Sequence, residues 1–347
     1  MEPSTIKRIF MSPEVKIAVV TGPGGLTGTY LIEALLQKEY KVRLLVRTEK
    51  AKKEILNFLN ERDFINNIDD KVEFCYGDIC NFKDVNSLIE NADYVFHNAA
   101  FVSFNPNKKD KIFKVNVLGT QNVVNALIEN KNCKLIHFSS IATLGASAKS
   151  NMINEQCVHY ENNDNPYSLS KYYAELEVWR GIEEGIKAVI INPGIILGYS
   201  KTGRSSSVLL IQMAQGMSFV PAGITGYVDV EDVCRAAILL AEKEIMNKRF
   251  ILCAENMSYI ELFNIVRETV HSKVKPHLIN KRLILILAYI IQFFAGIFNK
   301  EPIIAPPMIK SSFTKKFYDG SAICGIAGFE YTSISKTLDK WYQQMKN

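Results

Sequence analysis

The segment "VVTGPGGLTGTYLIEALL", Val19 to Leu36, passes from an apolar β-type run into a helical pattern through Gly22, Gly25 and Gly28, spaced three apart. Few folds need that arrangement. The first glycine permits a tight turn, the second lets backbone approach a pyrophosphate, and the third lets helix and strand pack closely. The helix beginning at Leu26 then presents free N–H groups and the positive end of its dipole to phosphate. A glycine pattern alone is often only a turn; between a first strand and a first helix it reads as a nucleotide-binding loop.

The rest of the first 195 residues repeats that alternation. "VKIAVVTG", "KVRLLV", "KVEFCYG", "ADYVFHNAA", "KLIHFSS" and "KAVIINP" are short β-type runs, apolar on both faces, and longer helical patterns separate them. Strands of this kind belong to a parallel sheet covered on both sides. The expected architecture is α/β, a doubly wound parallel sheet with right-handed crossovers. Ligands then bind beyond the carboxyl ends of the strands. After Pro193 the alternation weakens, and from Tyr259 onward the pattern is mainly helical. The expected division is a dinucleotide-binding domain over 13–198, to which 226–254 return, and a smaller substrate region over 199–225 and 255–347.

The composition narrows the classes. A net charge of +5 over 347 residues, without a dense basic cluster, gives no reason to expect nucleic acid. Seven scattered cysteines with no Cys-x-x-Cys spacing point to reduced thiols and a cytoplasmic location, and no metal-ligand set stands out. The first fourteen residues lack the apolar core of a signal peptide. The most hydrophobic run, "LILILAYIIQFFAGIF" from Leu283 to Phe298, falls short of the roughly 20 residues that span a bilayer. It reads as a buried or surface-bound helix, with peripheral membrane contact open.

The end of the second strand bears on the cofactor. An acid there would hold the ribose 2′-hydroxyl of NAD; this strand ends in Arg47, with Thr48 and Lys50 after it. A guanidinium at that place suits a 2′-phosphate, so NADP(H) is the expected cofactor, with NAD(H) possible.

With the "TGxxGxxG" loop in place, further segments fall into the order of the extended short-chain dehydrogenases/reductases, which the chain resembles over nearly its whole length. "YGDIC" resembles the end of that family's third strand, which implies Asp78 and Ile79 at the adenine. "HNAA" resembles its "HxAA", which implies Ala99 and Ala100 near the ribose. "VNVLGTQNVVNA" is similar to the helix with a site asparagine, here Asn116, and "FSSIATLG" to the serine-bearing strand end. "YSLSK" looks like the family's Tyr-x-x-x-Lys, Tyr167 and Lys171, and "NPGIILG" like the segment passing the nicotinamide, which places Pro193 there. By the same resemblance Gly22, Gly25, Leu26 and Gly28 meet the cofactor phosphates.

The chemistry explains the set. Carbonyl reduction needs a proton donor at the developing alkoxide, and alcohol oxidation needs a base at the same place. A free tyrosine with a pKa of about 10 is a poor base at neutral pH. A lysine ammonium one turn away lowers it, and positions i and i+4 share a helix face. The resemblance implies that Lys171 also holds the ribose, that Ser140 hydrogen-bonds the substrate oxygen, and that Asn116 positions the lysine or a water. Ser139 is the competing serine. A second Tyr-x-x-x-Lys, Tyr342 and Lys346, has no such setting and reads as a helix face. His97 and His137 lie on apolar strands and read as structural.

The family includes nucleotide-sugar epimerases, dehydratases, and reductases of hydrophobic carbonyls. Where dehydratases carry a Thr-Asp-Glu-like set this chain has Ser140, Ile141 and Ala142, so elimination lacks its acid. Phe101, Val102 and Phe104 after "HNAA" suggest an apolar pocket, similar to the dihydroflavonol reductase and 3β-hydroxysteroid dehydrogenase branches. The leading expectation is an NADP(H)-dependent oxidoreductase of a bulky hydrophobic carbonyl or alcohol. Nucleotide-sugar epimerase is the alternative, with Lys201 and Arg204 as diphosphate ligands. A non-catalytic dinucleotide sensor is a second alternative. The resemblance also implies a homodimer through the helices bearing Asn116 and Tyr167.

Overall fold

The computed structural model describes residues 15–62, 68–145, 152–157, 165–200, 207–298 and 300–346. Seven strands form the central sheet: Ile17–Thr21, Lys41–Val46, Val72–Tyr76, Tyr94–His97, Lys134–Phe138, Ala188–Pro193 and Lys248–Leu252. Numbered in chain order they lie 3-2-1-4-5-6-7, and every neighbouring pair is parallel. The order reverses between the first and fourth strands. That reversal opens the crevice above their carboxyl ends where such folds bind ligands.

Alternate residues of these strands bury into two separate cores, which is why the runs are apolar throughout. On one face Ala18, Val20, Leu44, Phe96 and Ile191 pack with the helices Leu26–Gln37 and Val230–Glu242. On the other, Val19, Val95, Leu135 and Ile190 pack with Phe82–Ile89, Gly119–Glu129 and Pro166–Glu183. The sheet is therefore doubly wound, as the alternation implies.

The smaller region is largely helical and is built on a three-stranded sheet of Ile195–Leu197, Ile224–Asp229 and Glu255–Ser258. Trp341, Tyr227 and Phe263 are its largest fully buried side chains. The helices Tyr259–Thr269 and Ile334–Lys346 supply much of that core; a capping box at Ser258 and Glu261 starts the former. Tyr342 and Lys346 belong to the latter helix, the ammonium 4.2 Å from the ring centroid. All seven cysteines are free. Among the described residues no helix is long and apolar enough to cross a membrane, and no group of three metal-ligating side chains occurs.

Candidate active site

The glycine loop has its three residues in three different situations. Gly22 sits at φ +69°, and a Cβ on it would lie 2.7 Å from the Ala99 Cα. A Cβ on Gly28 would meet the Gly22 carbonyl at 2.3 Å. Both are therefore fixed by the fold itself. At Gly25 the nearest protein atom to an added Cβ is 3.7 Å away, and at neighbouring Gly24 none lies within 4 Å. The open side of the loop faces the first turn of Leu26–Gln37, which no side chain caps. Free N–H groups beside an open glycine surface fit a pyrophosphate.

The rim of this crevice collects the other cofactor candidates. Asn98 donates from Nδ2 to the Gly22 carbonyl at 3.1 Å, and the Ala99 amide donates to Thr21 Oγ1 at 3.2 Å, so the first and fourth strand ends are pinned together. Ala100 is exposed beside them. Asp78 is exposed and accepts from the Cys80 amide at 2.9 Å, whereas Ile79 is buried. Pro193 is buried at the end of its strand. Arg47 is exposed, and Thr48 beside it caps the next helix by accepting from the Ala51 amide at 3.2 Å.

The proton-handling candidates gather where Pro166–Glu183 crosses the fifth strand. Asn165 accepts from the Tyr167 amide at 3.1 Å and starts that helix, with Pro166 in its first turn. Lys171, one turn on, is buried and donates to the Phe138 carbonyl at 2.6 Å. That bond places its ammonium at the strand end that leads into Ser139 and Ser140. Asn116 is buried in a single π-helical turn, Lys114–Leu118, a distortion that accumulates at functional sites. Its Oδ1 accepts from the Phe101 amide at 2.7 Å, and its Nδ2 donates to the Phe101 carbonyl at 3.1 Å and to Ser170 Oγ at 2.9 Å. Ser170 in turn donates to the Tyr167 carbonyl at 2.8 Å. Asn116 thus joins the loop after the fourth strand to the turn that carries the tyrosine.

The two serines differ. Ser139 is buried and donates to Glu175 Oε2 at 2.7 Å. Ser140 is half-buried, and its hydroxyl oxygen accepts only the weak cap from the Ala142 amide at 3.1 Å, which leaves its proton to give.

Burial governs the titrations. Desolvation pushes the Tyr167 phenol up to about 12. It therefore stands protonated at neutral pH, and a phenolate there would need added positive charge. Desolvation pushes Lys171 down to about 8, against the attraction of Glu175. His97 bonds Thr21 and Thr120 through its two ring nitrogens, and burial lowers it to about 3. Neutral and saturated, it has no spare proton function.

Sequence reasoning did not assign Glu175, Asn192 and Arg249. The Glu175 carboxylate is buried and accepts from Ser139, Thr143 and Asn192 at 2.7, 3.0 and 3.0 Å, while Arg249 pairs with it at 2.5 Å. The signal was present in "YSLSKYYAE": Glu175 stands four residues after Lys171 and eight after Tyr167, on the same face.

A model of the NAD dependent epimerase/dehydratase family matches residues 18–253. The chain belongs to this family. It is a catalytic Rossmann-fold enzyme of the NAD(P)-binding oxidoreductase/epimerase superfamily. Cinnamoyl-CoA reductase 1 of Petunia hybrida is 30% identical over 253 residues, 70% of this chain and 73% of that one. A putative dihydroflavonol 4-reductase of Synechocystis is 24% identical over 335 residues, 93% and 94% of the two chains. UDP-glucuronic acid 4-epimerase from Bacillus cereus, solved with NAD, has a TM-score of 0.72 at 18% identity, covering 95% of this chain and 98% of that one. UDP-glucose 4-epimerase from Thermus thermophilus, also solved with NAD, has a TM-score of 0.71 at 17% identity, covering 95% and 99%.

These structures correct one expectation. The NADP(H) preference expected from Arg47 is contradicted, because four of the similar structures are solved in complex with NAD. The physical reason is that Arg47 is an exposed side chain on a strand end. A solvated guanidinium there does not by itself select a 2′-phosphate.

Proposed function

We propose that this enzyme interconverts a secondary alcohol and its carbonyl by hydride transfer, with Tyr167 as the acid/base at the reacting oxygen. The observation that supports this reading is the buried Lys171 ammonium on the carbonyl of Phe138, two residues before Ser140, with Lys171 itself one helical turn after Tyr167. A nicotinamide dinucleotide, NAD(H) by the structural comparisons, supplies or accepts the hydride when bound. Gly22, Gly25, Leu26 and Gly28 would hold its phosphates, Asp78 and Ile79 its adenine, Ala99, Ala100 and Lys171 its riboses, and Pro193 its nicotinamide end. In reduction, Tyr167 gives its proton to the developing alkoxide while Ser140 donates a hydrogen bond to the same oxygen. In oxidation Tyr167 takes that proton back, and Lys171 lowers the cost of the phenolate. Asn116 fixes the Tyr167 turn through Ser170.

Two substrate readings follow, and the comparisons lend more to the epimerase. The matching family model and the epimerase structures support a nucleotide sugar, oxidised and re-reduced on its other face. Its diphosphate ligands Lys201 and Arg204 lie outside the described residues. The reductase reading rests on the half-buried Phe101 and Phe104, the exposed Val102, and the reductase names of the sequence relatives. Turnover decides between them: nucleotide sugars and apolar ketones or aldehydes are offered with NAD(H), and Tyr167→Phe is expected to remove at least about 100-fold of the rate that appears. Cofactor binding with no turnover on either panel overturns the proposal.

Assembly and division of labour belong to the same proposal. The substrate region comprises 199–225 and 255–347. The chain pairs as a homodimer through the helices of Asn116 and Tyr167, where Tyr173 and Leu176 leave large apolar surfaces exposed. Light scattering on Leu176→Arg checks the pairing; an unchanged dimer mass overturns it.

A further inference from the structure

The helix Lys281–Ile297 is turned inside out for an element that faces water. Leu283, Ile286, Ile290, Phe293, Phe294 and Ile297 recur at three- and four-residue steps and so share one face. All six are exposed, between 49% and 67%. Ala288 is the helix's only buried residue. Gln292, the one polar side chain besides Tyr289 between Leu283 and Phe298, points inward and donates to the Phe104 carbonyl at 3.3 Å.

Other polar bonds fix this orientation. Asn107 donates to the Gly296 carbonyl at 3.0 Å, and Asn105 to the Lys300 carbonyl at 2.8 Å. The apolar stripe is therefore held outward by hydrogen bonds on the opposite side, and Phe298 and Ile303, which follow it in the chain, are exposed as well. Monomers in water seldom expose a contiguous apolar patch beyond roughly 300–600 Å².

Charge names the occupant. Residues 281–316 contain six basic side chains against one acid, Glu301, a net +5 equal to the formal charge of the entire chain. The rest of the molecule balances to zero; two of the six, Lys281 and Arg282, are on the helix itself, and Lys300, Lys310, Lys315 and Lys316 follow it in the chain. Lys281 and Arg282 occupy its first turn, where the helix dipole disfavours cations. An external anionic surface offsets that cost. A second copy of the chain leaves the cations at the helix start without anions, because the helix carries no acidic residue to meet them.

We infer that Lys281–Ile297 docks the enzyme in the plane of an anionic lipid bilayer, with its Leu283-to-Ile297 face in the acyl boundary and Lys281 and Arg282 at the headgroups. The helix has 17 residues, too few to span and enough to lie in the interface. The inference does not depend on which substrate the enzyme takes.

The test is flotation of the full chain with vesicles of phosphatidylcholine, alone or mixed with phosphatidylglycerol. The wild type is expected to float with the anionic vesicles and to be released by high salt. Phe293→Glu with Ile297→Glu should abolish flotation, and Lys281→Glu with Arg282→Glu should weaken it at least tenfold on anionic vesicles only. Unchanged circular dichroism and NAD binding confirm that both variants fold. A wild type that stays in the soluble fraction with either vesicle overturns the inference. So does a chain that floats with neither and forms dimers that Phe293→Glu with Ile297→Glu splits, which assigns the face to a second copy.

Discussion

Glu175 and Arg249 meet at 2.5 Å, one helical turn beyond Lys171, and the same carboxylate gathers Ser139, Thr143 and Asn192. The guanidinium also lies over the Trp179 ring, 5.3 Å from its centroid. Three strand ends and the Tyr167 helix are thereby fastened at one point behind the candidate site. Glu175 bonds Ser139 directly and attracts the Lys171 ammonium, so it braces the Ser139–Ser140 strand end.

Glu175→Gln should therefore show two separable effects. Removing one partner of this pair is expected to cost about 3 kcal/mol in denaturant unfolding. It also removes the charge that holds the Lys171 proton, so the alkaline fall in turnover, expected near pH 8 in the wild type, should move to lower pH. A loss of stability with an unmoved pH profile would make Glu175 purely structural.

Lys171 also makes stability depend on pH. Below about 8 both native and unfolded lysine are charged, and the burial cost is constant. Between about 8 and the ordinary value of 10.5 the native chain has released a proton that the unfolded chain keeps, so this group makes stability rise with pH. Urea unfolding at about pH 7 and about pH 9.5 should show that increment in the wild type and its absence in Lys171→Met.

The glycine loop can be divided by two alanines. Gly28→Ala drives a Cβ to 2.3 Å from the Gly22 carbonyl and should lower Tm. Gly25→Ala meets no protein atom closer than 3.7 Å, so Tm should be unchanged while NAD affinity falls at least about tenfold. Calorimetry of unfolding and of NAD binding reads both. Unaltered NAD affinity in Gly25→Ala would remove the pyrophosphate from this loop.

The serines separate in the same way. Ser140→Ala should reduce kcat by about 100-fold with little change in stability, since its hydroxyl accepts a single peripheral cap. Ser139→Ala leaves Glu175 short of a donor and should cost about 1–2 kcal/mol of stability instead. Steady-state kinetics beside denaturant unfolding would expose a reversal of these roles.

Much of this was legible in the sequence because it is local. The turn at Gly22, the placing of Tyr167 and Lys171 one turn apart on one helix and the doubly apolar strands follow from short-range sterics and periodicity. The Glu175 cluster was not, although its carboxylate stood in the same motif, because its partners come from strand ends far apart in the chain. Arg249 follows it by more than seventy residues and becomes its neighbour only when the seventh strand pairs beside the sixth. Arg47 misled for a related reason. The position was read correctly as a strand end, but a side chain's ligand selectivity depends on what confines it, and that is not written in its identity. The long apolar run fitted either a buried or a surface-bound helix, since hydrophobicity has no sign for inward and outward; Gln292, Asn105 and Asn107 set its orientation.

Those same bonds have a mechanical consequence. Phe101 is clamped at both its amide and its carbonyl by Asn116, and three to six residues later Phe104, Asn105 and Asn107 grip the apolar helix. The stretch between is a short strut pinned at both ends. It links the helix to Asn116, from there to Ser170, and so to the first turn of the helix that holds Tyr167. The exposed apolar helix and Tyr167 are four pinned joints apart.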